Sequence, residues 1–465
     1  MRVALSQLVV LERIRRTPVR QWPTLEFSVS EAAAIYMAGF MVSAGLGVIR
    51  QIMLNARFGL GPEAAAYYAA ARLPETVAIL IAGGALTNAL VPVLLRVHAR
   101  DGEAAALNLV NTVLTSLLLV LAPILLLAAL FAPQFVQLVL APGFTPDLQA
   151  LTTTLARIML LEVVLLVCEA ALAAILISRN QVLLPVLAIA ARNLAMIGGI
   201  AVALLIPSVG IYGPTVGSIL DALLQLAILT PGLRQRGYRP RLAWQPTNPD
   251  VRTTWRLLWP NALGGASSYA AGIADTAFAT LSGVTAAVGA ITNAWMLAGL
   301  PIRLLGVAIG QAALPHLADL GTSGAVATMR TELRRILVRA ALLAVLTSVA
   351  LFVIAESLVR LLFQRGAFDA EATALTAHLM RIYLLGLPAY VLTEVATRAL
   401  VARFDTLSAM LANMAQLGLR IALMILLLEP LGPAAIPSAF ALSAVAETCA
   451  LLLVLHWRVH HPRGV

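Results

Sequence analysis

The residues that could do chemistry in this chain are charged or amide side chains set in otherwise apolar sequence: Arg50, Arg72, Asn88, Glu162, Glu169, Asp275, Arg303 and Glu394. Charge at membrane depth is costly, so it normally faces a cavity or a partner and marks a substrate or ion path. Arg50 shares its stretch with Ser43, Gly45 and Gly47, small residues that permit close packing or widen a cavity. Facing a cavity, Arg50 binds anions; the bland alternative is an arginine snorkelling to headgroups. Arg72 stands two residues before Pro74 and suits bidentate contact with a phosphate, or else sits at the outer interface. Asn88 lies between Gly83-Gly84 and Pro92 on the same interrupted stretch, a pattern tolerated where a helix lines a cavity. Asp275 reads either as the partner of an arginine across a repeat interface or as the carrier of a coupling Na+ or H+. Glu162, Glu169 and Glu394 neutralise arginines or take part in coupling, and Asp221 and Glu447 are weaker candidates of that kind.

The surrounding composition says what must position these groups. Of 465 residues 60% are hydrophobic and 12% charged, against about 25% charged in soluble domains. The class is an all-α polytopic membrane protein. At about 20 apolar residues per span, twelve helices are expected, with cores at 32–55, 64–95, 105–132, 149–177, 182–206, 211–232, 255–282, 286–317, 336–362, 371–399, 405–428 and 434–456. A turn at Gly59, Gly61 and Pro62 separates the first two. Cys168 and Cys449 fall in apolar stretches and are expected as buried thiols without a disulfide.

All 32 basic residues are arginine. Twenty-two fall in segments assigned to one side, three (Arg57, Arg360, Arg365) to the other and seven within spans. That asymmetry puts both termini in the cytoplasm of a multi-pass protein of the cytoplasmic membrane. It also explains the net charge of +10 through topology and anionic membrane lipids, so no nucleic-acid partner is expected. The charge order of the first 22 residues is wrong for a cleaved signal and suits a cytoplasmic interfacial segment.

No P-loop, dinucleotide fingerprint, CxxC pair or HExxH occurs. The outer loops are too short for a hydrolase or transferase site, so neither an enzyme nor a cofactor is expected, and His456, His460 and His461 read as a tail.

The chain repeats itself. ALTTTLARIMLL at 150–161 returns as ALTAHLMRIYLL at 374–385, offset by 224, and Arg179 returns as Arg403. GGALTNALVPVL around Pro92 returns as GVAIGQAALPHL around Pro315, offset by 223. Two six-helix repeats of the same sense follow, with a pathway expected at their interface. Equivalent positions favour a structural role for Arg157 and Arg381. The expected organisation is a cytoplasmic segment 1–30, a six-helix lobe 31–233, a cytoplasmic linker 234–254, a second lobe 255–457 and a tail 458–465.

Several of these stretches resemble the MurJ/MviN family of lipid II flippases: SAGLGVIRQ, ARFGLGPEAAAYYAAARLP, GGALTNALVPVL, LPIRLLGVAIGQAALPHL and LLFQRGAFDAEATALTAHLMRIYLLGLPAYVL. The resemblance runs from about residue 35 to 456. It implies a two-lobed fold of the MOP superfamily, which also holds multidrug MATE exporters. It further implies a cationic cavity for a diphosphate-sugar head, a polyprenyl tail left in lipid, and alternating access. The chain departs from that family's pattern at Ala44, Gln51, Ala65, Ala78 and Met296, and it reaches Val465 without the two further C-terminal helices that many members carry. The leading expectation is a flippase of a polyprenyl-diphosphate-linked saccharide such as lipid II. Arg50, Arg72, Arg303 and Asn88 would bind the head, Na+, H+ or the membrane potential would couple the cycle, and cell-wall synthesis proteins would be partners. The alternatives are a cation-coupled exporter of small amphiphiles and a transport-dead paralogue acting as a scaffold.

Overall fold

The computed structural model describes residues 17–18, 21–22, 25–81, 85–264, 266–311, 313, 319, 326–403 and 405–460. Most of the expected N-terminal segment, Gly83-Gly84, Pro315, His461 and the end of the tail lie outside these residues. Every regular element among the described residues is helical. In chain order the longer ones are α1 (Val29–Phe58), α2 (Pro62–Ile81), α3 (Ala85–Asp101), α4 (Glu103–Leu130), α5 (Pro146–Ile177), α6 (Leu183–Ala191), α7 (Leu194–Leu205) and α8 (Tyr212–Gln235). There follow α9 (Pro249–Gly264), α10 (Ala266–Leu281), α11 (Ala286–Pro301), α12 (Val326–Phe363), α13 (Ala370–Val401), α14 (Thr406–Leu431) and α15 (Ala435–His460).

Among the described residues, nine stretches are long and apolar enough to cross a membrane, and the last, 406–457, contains both α14 and α15. Ten of the twelve expected spans are thus accounted for. The other two, 64–95 and 255–282, fall on the pairs α2–α3 and α9–α10, whose members run from 16 to 20 residues each. Large apolar side chains such as Met41, Leu126, Val353 and Leu426 are exposed, as suits a protein solvated by lipid tails.

The expected span 182–206 is not one helix. α6 ends at Ala191, Arg192 follows as its cap, and Asn193 adopts φ 90° before α7 begins. Neither proline nor glycine stands at this break. Asparagine is among the few side chains that visit the left-handed region routinely.

The repeat is visible in the helix limits. α2 and α11 begin at 62 and 286, and α5 and α13 run 146–177 and 370–401, each pair 224 residues apart. Arg157 Nε donates to the Ala129 carbonyl at 2.8 Å, and Arg381 Nε to the Phe352 carbonyl at 3.4 Å. The equivalent arginines therefore tie equivalent helices together. α13 and α14 start where Asp369 and Asp405 accept the main-chain N–H of Ala372 (2.8 Å) and Ser408 (3.1 Å), each satisfying a donor the first turn leaves free.

The chain divides into two compact units. The first comprises residues 1–57, 69–138 and 146–269; the second comprises 58–68, 139–145 and 270–465. Side chains of α4 hold the segment after α8 within the first unit. Tyr238 donates its hydroxyl to Asn111 Oδ1 at 2.8 Å, and burial pushes this phenol up to about 12. Asn111 Nδ2 donates to the Arg239 carbonyl at 3.1 Å, and the Ala243 N–H donates to Thr115 Oγ1 at 3.0 Å. Cys449 is exposed rather than buried, because its position on α15 faces outward; Cys168 is half-buried, and both are free thiols.

Candidate functional site: two charged clusters within the spans

The first cluster grows from one face of α8. Gly213, Gly217, Asp221 and Gln225 recur every fourth residue and so stand one above another. The glycines let α7 approach at main-chain distance. A Cβ at Gly213 would run into the Gly199 carbonyl, and one at Gly217 would lie 2.9 Å from the Met196 Cα. That approach brings Asp221, 4% exposed, to the N-terminus of α7. Its carboxylate accepts the Asn193 N–H at 2.8 Å and Gln225 Nε2 at 3.2 Å. A helix N-terminus carries unsatisfied donors and partial positive charge, so a carboxylate is a fitting cap.

Asn193 extends the chain of contacts to α1. Its Oδ1 accepts Arg50 Nη1 at 2.7 Å, and its Nδ2 donates to the Ser43 carbonyl at 3.3 Å. Arg50 Nη1 also lies 3.7 Å from Met196 Sδ. Among the described residues Arg50 makes no further hydrogen bond, which leaves the Nε and Nη2 donors of a half-buried guanidinium unused. Arg192, at the same helix break, is exposed. Glu162 lies beside Ser218 and within electrostatic reach of Arg192, Asp221 and Arg50; Glu169 lies within reach of Arg192 and Tyr36. Two guanidiniums and three carboxylates thus surround one interrupted helix.

The second cluster lies in the other unit and is built on an ion pair, with Arg420 Nε buried and without a hydrogen-bond partner among the described residues. Arg420 Nη2, on α14, contacts Asp275 Oδ2, on α10, at 2.5 Å, and Arg420 is 7% exposed. Its guanidinium carbon stands 4.9 Å from the centre of the Phe440 ring, a cation–π distance. Trp295, Tyr383 and Tyr390 pack round that ring at 5.0, 5.4 and 5.4 Å. Asp275 is thus paired with an arginine of the same unit. The reason is that α10 and α14 each place one charge in the same apolar surroundings, where an unpaired ion would be costly. Glu394 Oε2 lies 4.0 Å from Arg398 Nη2, one turn on, and Glu447 is close to Glu394.

The remaining candidates are dispersed. Arg72 Nη1 pairs with Glu75 Oε2 at 3.1 Å, one turn on in α2. Asn88 is exposed on α3. The main chain of Arg303 lies in the π-helical turn Ile302–Val307, and its side chain is outside the described residues. Arg192, counted only as one of seven arginines within spans, and Asn193, not singled out at all, are the groups that sequence reasoning missed. The available signal was an Arg-Asn pair interrupting an apolar run, followed by the four-residue spacing of Gly213, Gly217, Asp221 and Gln225.

Helices throughout the described residues, an internal repeat, a broken membrane helix and intramembrane charge are the build of a membrane transporter. Solved structures share the fold. A lipid II flippase MurJ in an inward closed conformation matches with TM-score 0.77 at 19% identity, over 90% of this chain and 87% of that one. An inward-facing multidrug resistance MATE family transporter matches with TM-score 0.76 at 14% identity, over 92% and 98%. The family model for lipid II flippase MurJ covers residues 54–464. A probable lipid II flippase MurJ of Rhizobium tropici is 30% identical over 419 residues, 89% of this chain and 78% of that protein. A lipid II flippase MurJ of Burkholderia cenocepacia is 28% identical over 384 residues, 80% and 73%. The chain belongs to the lipid II flippase MurJ family.

Proposed function

We propose that this protein flips a polyprenyl-diphosphate-linked saccharide, lipid II in the first instance, across the cytoplasmic membrane by alternating access. The observation that carries this reading is the state of Arg50. It is bonded to a neutral amide and keeps its Nε and Nη2 donors unused. A diphosphate needs converging charge-assisted donors in low dielectric, and Arg192 at the same break is the second cation of the cluster. Arg72, Asn88 and Arg303 are assigned to the head-group path on the sequence alone.

Translocation makes and breaks no covalent bond, so the protein acts as a transporter and not as an enzyme, without a cofactor. Both termini are assigned to the cytoplasm from the arginine asymmetry. The substrate, membrane lipids and proteins that make or consume the lipid-linked saccharide are its partners. With Asp275 tied to Arg420, coupling to Na+ or H+ falls to Glu162 and Glu169, or the membrane potential acts on the charged head itself.

The test is lipid II translocation in proteoliposomes, read by enzymatic protection of the head group, for wild type and Arg50→Ala. Translocation by the wild type that Arg50→Ala abolishes is the expected result. A folded, inserted wild type that moves no lipid II would sink the reading.

A further inference from the structure

Three carboxylates belong to the Arg50 cluster, yet the group that bonds Arg50 is neutral. Asp221, the carboxylate next along the chain of contacts, is engaged by the Asn193 N–H and by Gln225 Nε2. Glu162 lies within electrostatic reach of Arg50 and is turned to Ser218. Asn193 therefore stands between the arginine and Asp221, and it joins both.

The backbone at Asn193 does not explain this choice. A φ of 90° suits glycine best, and aspartate tolerates it for the same reason as asparagine. Aspartate would also keep an acceptor oxygen for Arg50. What an amide provides and a carboxylate does not is an acceptor without charge, together with the Nδ2 donor that reaches the Ser43 carbonyl. A hydrogen bond to an ionised group is roughly twice as strong as one between neutral groups. A carboxylate at this position would hold Arg50 in an ion pair and cancel its field. An amide fixes the direction of the guanidinium and leaves the cation whole, with Nε and Nη2 free to engage an anion.

We infer that Asn193 is a positioning residue, which aims Arg50 at the diphosphate of the lipid-linked substrate through a hydrogen bond to an uncharged acceptor and so keeps its charge available. The inference rests on the flippase reading above and adds the device that makes Arg50 usable.

The experiment is the concentration dependence of lipid II translocation in proteoliposomes for wild type, Asn193→Asp and Asn193→Gly, with Arg50→Ala alongside and thermal unfolding of each variant in detergent. Asn193→Asp is expected to unfold no earlier than Asn193→Gly, while its half-saturating lipid II concentration rises by about tenfold, the worth of one charge-assisted hydrogen bond. Asn193→Gly keeps the backbone and releases Arg50. Its half-saturating concentration is expected to rise about threefold, because Arg50 keeps its charge and loses only its aim, with little change in maximal rate.

A purely structural asparagine predicts the opposite order, because both variants lose the Nδ2 bond to the Ser43 carbonyl while aspartate alone keeps the acceptor and would be the milder change. Should Asn193→Asp fold poorly, the glycine variant decides alone: an unchanged half-saturation overturns the inference. If Arg50→Ala abolishes translocation while Asn193→Asp saturates like wild type, the inference fails and the flippase reading stands. If the wild type moves no lipid II, that reading fails and takes the inference with it.

Discussion

The two units solve the same problem in opposite ways. The repeat offset of 224 carries Asp275 back to position 51, beside Arg50, and carries Arg420 back to Met196, which touches Arg50. Each cluster thus joins the first helix of its repeat to the fifth. In the second unit the fifth helix, α14, is continuous, and its arginine is neutralised by Asp275 and capped by an aromatic ring. In the first unit the equivalent span is broken at Asn193, and the arginine stands on the first helix against an amide. A guanidinium in an ion pair is spent on stability. One held by an amide remains a full cation, and the carboxylate that would have quenched it caps α7 instead.

The largest effect that sharpens this contrast is on stability in the second unit. Arg420→Met leaves Asp275 without its counter-charge and is expected to destabilise the protein by about 3–5 kcal/mol, whereas Asp275→Leu combined with Arg420→Met returns close to the wild-type value. Thermal unfolding in detergent checks both. If the single and double variants unfold alike, the two charges are not the pair described. In the first unit, Arg50→Met should lower stability by about 1.5 kcal/mol, the worth of one hydrogen bond with a charged donor; a loss as large as that of Arg420→Met would erase the distinction. The smallest effects belong where the repeats agree. Arg157→Ala and Arg381→Ala each remove a bond to a main-chain carbonyl and should cost about 1 kcal/mol apiece, measured in the same melts. A marked inequality would mean that one of them has left its structural role.

Composition made the class legible, because 12% charged residues cannot clothe a water-solvated protein of this length. The spacing of ALTTTLARIMLL and ALTAHLMRIYLL made the repeat legible, and α5 and α13 carry it residue for residue. Arg50 and Asp275 were visible as charges in apolar runs. Their partners were not. Arg420 lies 145 residues beyond Asp275 and Asn193 lies 143 beyond Arg50, so no local period links them. The break at Asn193 was hidden because sequence signals for broken helices are proline and glycine, and here the interruption is held by tertiary contacts. Asp221 receives the freed N–H, and that is possible only because Gly213 and Gly217 let α7 come close.

The most direct test of the contrast is the affinity of the solubilised protein for lipid II, compared for wild type, Arg50→Met and the Asp275→Leu/Arg420→Met double variant. An available Arg50 and a spent Arg420 predict that affinity falls about tenfold or more in Arg50→Met and stays at the wild-type value in the double variant. Affinity that survives Arg50→Met and falls with the second pair would contradict the account at its centre.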